Sequence, residues 1–154
     1  MLHTWAFFAS LLAGLSLVLA TRADAVAPVL VYAGSLAALF GTSALYHRVR
    51  WSAGRRALMR RLDHAMIFVL IVGTYTPLAL VTLEGQWVRL VYGAVCLVSL
   101  VGFVITVGWL TAPKWLVASV YLVVGWMGLA LLPALFEAVG MAGIGLLLLG
   151  GLLY

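Results

Sequence analysis

The sequence predicts an all-α, multi-pass transmembrane helical bundle, and three observations predict it. Of the 154 residues 66% are hydrophobic and 8% charged, with a mean hydropathy of +1.22. Soluble domains hold about 45–50% apolar residues, and so few charges cannot cover a water-facing surface. The apolar residues fall into runs of membrane-crossing length, about 20 residues for a hydrocarbon core of about 30 Å. The charges cluster between those runs: six of the nine basic residues (Arg48, Arg50, Arg55, Arg56, Arg60 and Arg61) share one connection. The length suits a single domain.

A first span covers about residues 5–20 and ends at Thr21-Arg22-Ala23-Asp24. Ala23-Asp24-Ala25 has the small-x-small form of a signal cleavage site, yet no Lys or Arg precedes the apolar run and more spans follow. The first helix is therefore read as retained. Pro28, suited to a first helical turn, opens a second span, 28–47. In the basic connection Ser52 offers a cap for a short interfacial helix, with Leu58, Met59 and Leu62 toward lipid and arginines toward phosphate. A third span covers 63–83, and Glu84-Gly85-Gln86-Trp87 forms a tight turn. The fourth covers 88–110, closed by Thr111-Ala112-Pro113-Lys114, and the fifth 115–132, broken by Pro133. A sixth, 135–154, carries no charge after Glu137. Residues 139–154 rise about 24 Å at 1.5 Å each, short of a full crossing, so the expectation is an incomplete copy of a longer protein, with Tyr154 as an interfacial aromatic.

Net charge +5 concentrated in one connection reads as a topology signal and a contact for anionic lipid headgroups rather than for nucleic acid. The single cysteine, Cys96, excludes an internal disulfide. The positive-inside bias keeps the arginine segment and the N-terminus cytoplasmic in the cell membrane. Arg22, Asp24, Glu84 and Glu137 then lie outside and Lys114 inside. A Ser52→Cys variant should accordingly resist membrane-impermeant thiol reagents in intact cells; ready labelling would invert the topology.

Ser43 and His47 are four residues apart and share one helix face. Asp63 opens the next span from the same membrane side, so imidazole, hydroxyl and carboxylate meet at one depth. Ionisable groups at such positions are costly and are functional candidates by default. Zinc is one ligand that such groups serve, although a catalytic zinc takes roughly three protein ligands. Plainer roles stand beside this one. His47 serves equally as an interfacial anchor, Asp63 as a partner for Arg60 or Arg61 at a helix N-terminus, and Ser43 as a donor to the carbonyl of Leu39. His64 points about 100° away from Asp63 and suits a supporting or headgroup contact; His3 is the weakest candidate for a further ligand. In Gly73-Thr74-Tyr75-Thr76-Pro77 the proline should kink the third helix, with both threonines serving freed backbone groups. The kink would open space for a lipid chain above the polar site, or serve packing alone. Gly34-x-x-x-Ala38 offers close helix approach.

Ser43-Ala-Leu-Tyr-His47, Arg61-Leu-Asp63-His64-Ala-Met-Ile-Phe and Gly73-Thr-Tyr-Thr-Pro77, in this order across the whole chain, resemble the hemolysin III proteins, relatives of the progestin and adiponectin receptors. The resemblance implies a seven-helix membrane fold, of which about six helices are present here, a cytoplasmic N-terminus, and Zn2+ near the cytoplasmic face. It implies that the His of S-x-x-x-H in helix two and two His of H-x-x-x-H in helix seven hold the metal. His47 would then be a zinc ligand, Asp63 a catalytic group polarising the metal's water, and Ser43 a neighbouring catalytic hydroxyl. No histidine follows His64, so H-x-x-x-H is absent and this chain is expected to hold zinc weakly or not at all.

Two kinds of function compete. One is a zinc-dependent hydrolase of lipid amides or esters, with Asp63 handling the water proton and Ser43 steadying the oxyanion. The other is a non-enzymatic membrane protein, pore-forming or receptor-like. A wide pore needs a polar stripe along several helices, whereas the sequence offers scattered Ser, Thr and Tyr.

Overall fold

The computed structural model describes residues 2–109 and 111–153; Leu110 and Tyr154, the expected ends of the fourth and sixth spans, lie outside the described residues. Six α-helices follow one another: α1 (Leu2–Ala20), α2 (Val26–Arg48), α3 (Ala53–Pro77), α4 (Gln86–Gly108), α5 (Lys114–Trp126) and α6 (Leu132–Leu153). There is no strand among the described residues. Five stretches are long and apolar enough to cross a membrane: Leu2–Ala20, Ala23–Arg48, Ala53–Thr82, Gln86–Gly108 and Trp115–Leu149. The chain is an all-α multi-pass membrane bundle.

Helices α1 to α4 form a row in which each packs chiefly on the next, and small residues set every step. A Cβ on Gly14 of α1 would stand 2.9 Å from that of Ala33 on α2. Gly73 of α3 is pressed against Ser35 of α2, whose hydroxyl donates to the Tyr32 carbonyl at 2.7 Å. Phe68 of α3, 1% exposed, lies over Gly102 of α4 and stacks on Tyr121 of α5 with ring centroids 4.4 Å apart. Without a hydrophobic drive between helices in lipid, such backbone approach supplies the association. Gly34, expected to mediate one of these approaches, does not: nothing lies within 4 Å of where its Cβ would be, and with Ala38 it lines an open groove.

The basic segment is more helical than its charge suggests. Helix α3 starts at Ala53, so the expected interfacial helix and the third span are one helix joined to α2 through residues 49–52. Ser52 starts it through extended backbone (φ −63°, ψ 158°) and makes no side-chain cap; its carbonyl accepts from the Arg56 amide at 2.8 Å. No proline interrupts the residues between Ala53 and Asp63, and arginine, leucine and methionine are good helix formers. Trp51 Nε1 closes the turn by donating to the Leu45 carbonyl at 3.1 Å.

Pro77 widens the helix. A π turn, Leu78–Thr82, follows it, closed by the Leu83 amide on the Leu78 carbonyl at 2.8 Å. Thr74 and Thr76 donate to the carbonyls of Leu70 (2.9 Å) and Val72 (2.7 Å), not to the Gly73 carbonyl that the proline frees. Pro133, expected to break the fifth span, sits in the first turn of α6, where its missing N–H is no loss. Helix α5 runs through a 3₁₀ turn, Met127–Leu131, directly into α6. Trp87 Nε1 donates to the Ala130 carbonyl at 3.2 Å, which brings this run level with the start of α4. The break comes at Gly140 (φ 64°, ψ −173°), a conformation open to glycine. Leu135 and Ile144, on either side of it, both pack on the core around Leu83, Val88 and Leu131.

Candidate functional site

The register of α1 on α2 brings together residues that lie 40 apart in sequence. Gly14 stands beside Ala33; counting eleven residues back along α1 and ten forward along the antiparallel α2 places His3 beside Ser43. His3 Nδ1 and Ser43 Oγ are 3.1 Å apart and hydrogen-bonded. The His3 ring also stacks on that of His47, with centroids 4.5 Å apart and planes 13° from parallel. Arg48 Nη1 donates to Thr4 Oγ1 at 3.4 Å and ties the same two helix ends again. Ser43 is 8% exposed, His3 half-buried and His47 exposed. The serine thus bonds across to α1 rather than back to Leu39.

The contact of Gly73 with Ser35 sets the depth of Asp63. Ten residues back from Gly73 is Asp63, and ten forward from Ser35 on the antiparallel partner is Leu45, midway between Ser43 and His47. At 1.5 Å per residue, Asp63 therefore lies within about 3 Å of the level of either. The three residues also share a side of the helix row. Ser43 is nine residues from Gly34, His47 nine from Ala38, and Asp63 nine from Val72; nine steps of 100° are half a turn. Gly34, Ala38 and Val72 line an apolar groove of about 570 Å³ between α2, α3 and α4, with Phe68, Cys96 and Ser99. The groove and the polar residues therefore occupy opposite faces. This groove is not the space that the Pro77 kink was expected to open above the site: it lies behind it and is not lined by Pro77.

Asp63 is half-buried and makes no hydrogen bond or ion pair among the described residues. The expected pairing with Arg60 or Arg61 does not form; the ion pair among the described residues is the exposed Arg22–Asp24 at 3.4 Å. His64 is held locally: its Nδ1–H donates to the Arg60 carbonyl at 2.6 Å, and its own carbonyl accepts from Tyr121 at 2.8 Å. It supports the α3–α5 contact rather than the site.

The donor set does not fit zinc as it stands. Among the described residues no three His, Cys, Asp or Glu side chains converge on a metal position. Imidazole lone pairs lie in the ring plane, so the nearly parallel rings of His3 and His47 do not point at one ion about 2.0 Å from both. His3 Nδ1 is also engaged by Ser43. What the face does present is an unpaired carboxylate, a buried hydroxyl and two imidazoles at one membrane level. His3, the weakest of the sequence candidates, is the residue that touches both Ser43 and His47; the signal for it was the small pair Gly14 and Ala33, which fixes the register.

A family model described as "Haemolysin-III related" matches residues 1–154. The chain is 31% identical over 132 residues to Hemolysin-3 of Bacillus cereus, covering 86% of this chain and 60% of that protein. It is 32% identical over 124 residues to the Hemolysin-3 homolog of Bacillus subtilis (strain 168), covering 80% of this chain and 58% of that one. The chain thus spans about three fifths of the length of these relatives. No solved structure matches it significantly.

Proposed function

Because the chain belongs to the hemolysin III family, we propose that it acts in hydrolysis of lipid ester or amide bonds at the plasma membrane, through the polar face of α2 and α3. The observation behind this reading is the common depth and common face of Ser43, His47 and Asp63. The unpaired Asp63 carboxylate accepts a proton from water attacking the lipid carbonyl, which is general-base work. Ser43 holds His3 at Nδ1, and the His3 ring braces that of His47, so the two act as positioning residues for His47. Zinc, implied by the family, would supply a Lewis acid and an activated water. Of the residues here His47 would serve it, and the remaining donors would have to come from outside the convergent set described above. The topology proposed for this activity keeps the arginine turn and this face at the cytoplasmic side.

The names of the two relatives speak of haemolysis, and a pore is the second reading. The described residues support it less. Their buried polar side chains are six hydroxyls (Ser10, Ser35, Ser43, Thr76, Ser99 and Thr106), and Ser10, Ser35, Thr76 and Thr106 are bonded to carbonyls of their own helices.

The test is release of free fatty acid from ester- and amide-linked lipids by the protein in vesicles, with and without added zinc, followed by mass spectrometry. Asp63→Asn should lower the rate by about 100-fold or more, in the range of general-base contributions. An Asp63→Asn protein as active as the wild type would remove the carboxylate from the mechanism. No release under any condition would favour the non-enzymatic reading.

A further inference from the structure

Helix α3 carries two arginines one turn apart, Arg56 and Arg60, beyond the point where α2 ends. The small side chains of Ala53 and Ala57 share this helix face, and Tyr46 from α2 stands across the turn. These five residues line a pocket of about 280 Å³. The Arg56 guanidinium lies over the Tyr46 ring, 6.0 Å from its centroid. Neither guanidinium has a hydrogen bond or an ion pair among the described residues, whose ion pair is Arg22–Asp24. Two unneutralised guanidinium forks thus flank a floor too short to fill the space between them. An arginine fork matches the oxygen geometry of a phosphate and can bind it bidentately.

The place of the pocket along α3 favours a lipid phosphate. Arg56 and Arg60 lie in the first turns of Ala53–Thr82, a stretch long and apolar enough to cross a membrane, and precede its uncharged part, residues 65 to 82, by about one and a half to two and a half turns. Exposed Leu58 and half-buried Met59, on the same segment, offer apolar contact for the glycerol and upper chain region. A phosphate dissolved in water would gain nothing from that apolar margin.

We propose that Tyr46, Arg56 and Arg60 form a binding site for the phosphate of an anionic glycerophospholipid, on the membrane side that carries the arginine turn. The lipid fixes the end of α2 to the extension of α3. This site is independent of the hydrolytic reading and does not use Ser43, His47 or Asp63.

Native mass spectrometry of the full chain in detergent, titrated with phosphatidylglycerol, with phosphatidylcholine of the same chains, or with inorganic phosphate, tests it. The protein should retain phosphatidylglycerol in preference to phosphatidylcholine. Arg56→Gln with Arg60→Gln should lower that retention by about tenfold or more, as expected for two arginines each worth about 1 kcal/mol at an anionic surface. Arg50→Gln with Arg55→Gln makes the same change in charge outside the pocket and should lower it by less than about threefold, the share left to screened surface charge. Both pairs are exposed, so neither disturbs the bundle. Equal losses from the two double variants would reduce the effect to net charge and overturn the site. Equal retention of the two lipids would do the same. Displacement of phosphatidylglycerol by an equal concentration of inorganic phosphate would make free phosphate the ligand and overturn the assignment to lipid.

Discussion

Gly73→Leu should destabilise the bundle, toward the upper end of the roughly 1–3 kcal/mol that forcing extra carbons into a packed interior costs. A Cβ at this position would run into the Ser35 hydroxyl and stand 2.7 Å from the Ser35 Cβ and 3.4 Å from the Val31 carbonyl oxygen. The first can rotate away, but the Cβ and the carbonyl belong to α2 itself, so α2 and α3 must separate. Leucine is a better helix former than glycine by nearly 1 kcal/mol, which works in the opposite direction and is outweighed. Gly34→Leu isolates that opposing term, because nothing lies within 4 Å of its Cβ position; it should leave stability unchanged or slightly raised. Thermal unfolding in detergent, followed by circular dichroism, gives both values. A Gly73→Leu protein that melts with the wild type would mean that α2 and α3 are not in contact at this glycine. The depth assigned to Asp63, counted from that contact, would fall with it.

The comparison of these two glycines shows what sequence could and could not supply. The all-α membrane-spanning character was legible because 20-residue apolar runs have few alternatives in a membrane. The Gly34-x-x-x-Ala38 pattern pointed to a close approach, but the approach occurs one residue along, at Ser35 against Gly73, since a pattern of small residues marks where helices can meet and not which face does. The break after α5 was assigned to Pro133, yet proline in a first turn is compatible with helix, and the chain bends at Gly140 instead. The charge of the arginine segment suggested a connection, whereas arginine does not oppose helix, and α3 extends through it. Ser43, His47 and Asp63 were legible as a group because spacing of four residues and antiparallel entry are local rules. The part played by His3 was not, because it depends on the register of α1 against α2, which rests on the packing of Gly14 and Ala33 and has no counterpart in the polar residues themselves.

That histidine decides the last prediction. Equilibrated with zinc and then dialysed, the chain should retain well below one zinc per polypeptide by elemental mass spectrometry. Tight sites use roughly three or four protein ligands whose lone pairs meet at one point. Here His3 and His47 are stacked 13° from parallel, so their in-plane lone pairs run side by side, and His3 Nδ1 is held by Ser43 at 3.1 Å. Asp63 brings the right charge to the right depth, but no third donor converges with it among the described residues. Recruiting His3 to a metal would require the ring to leave the stack and the bond to Ser43 to break, so two favourable contacts oppose binding from the start. Removing the serine bond should therefore help: Ser43→Ala should raise retained zinc relative to the wild type, and His47→Ala should remove the gain. Stoichiometric zinc on the wild-type chain, lost on His47→Ala, would show that the metal overcomes those contacts, and that the stacked arrangement is not the one in which the site works.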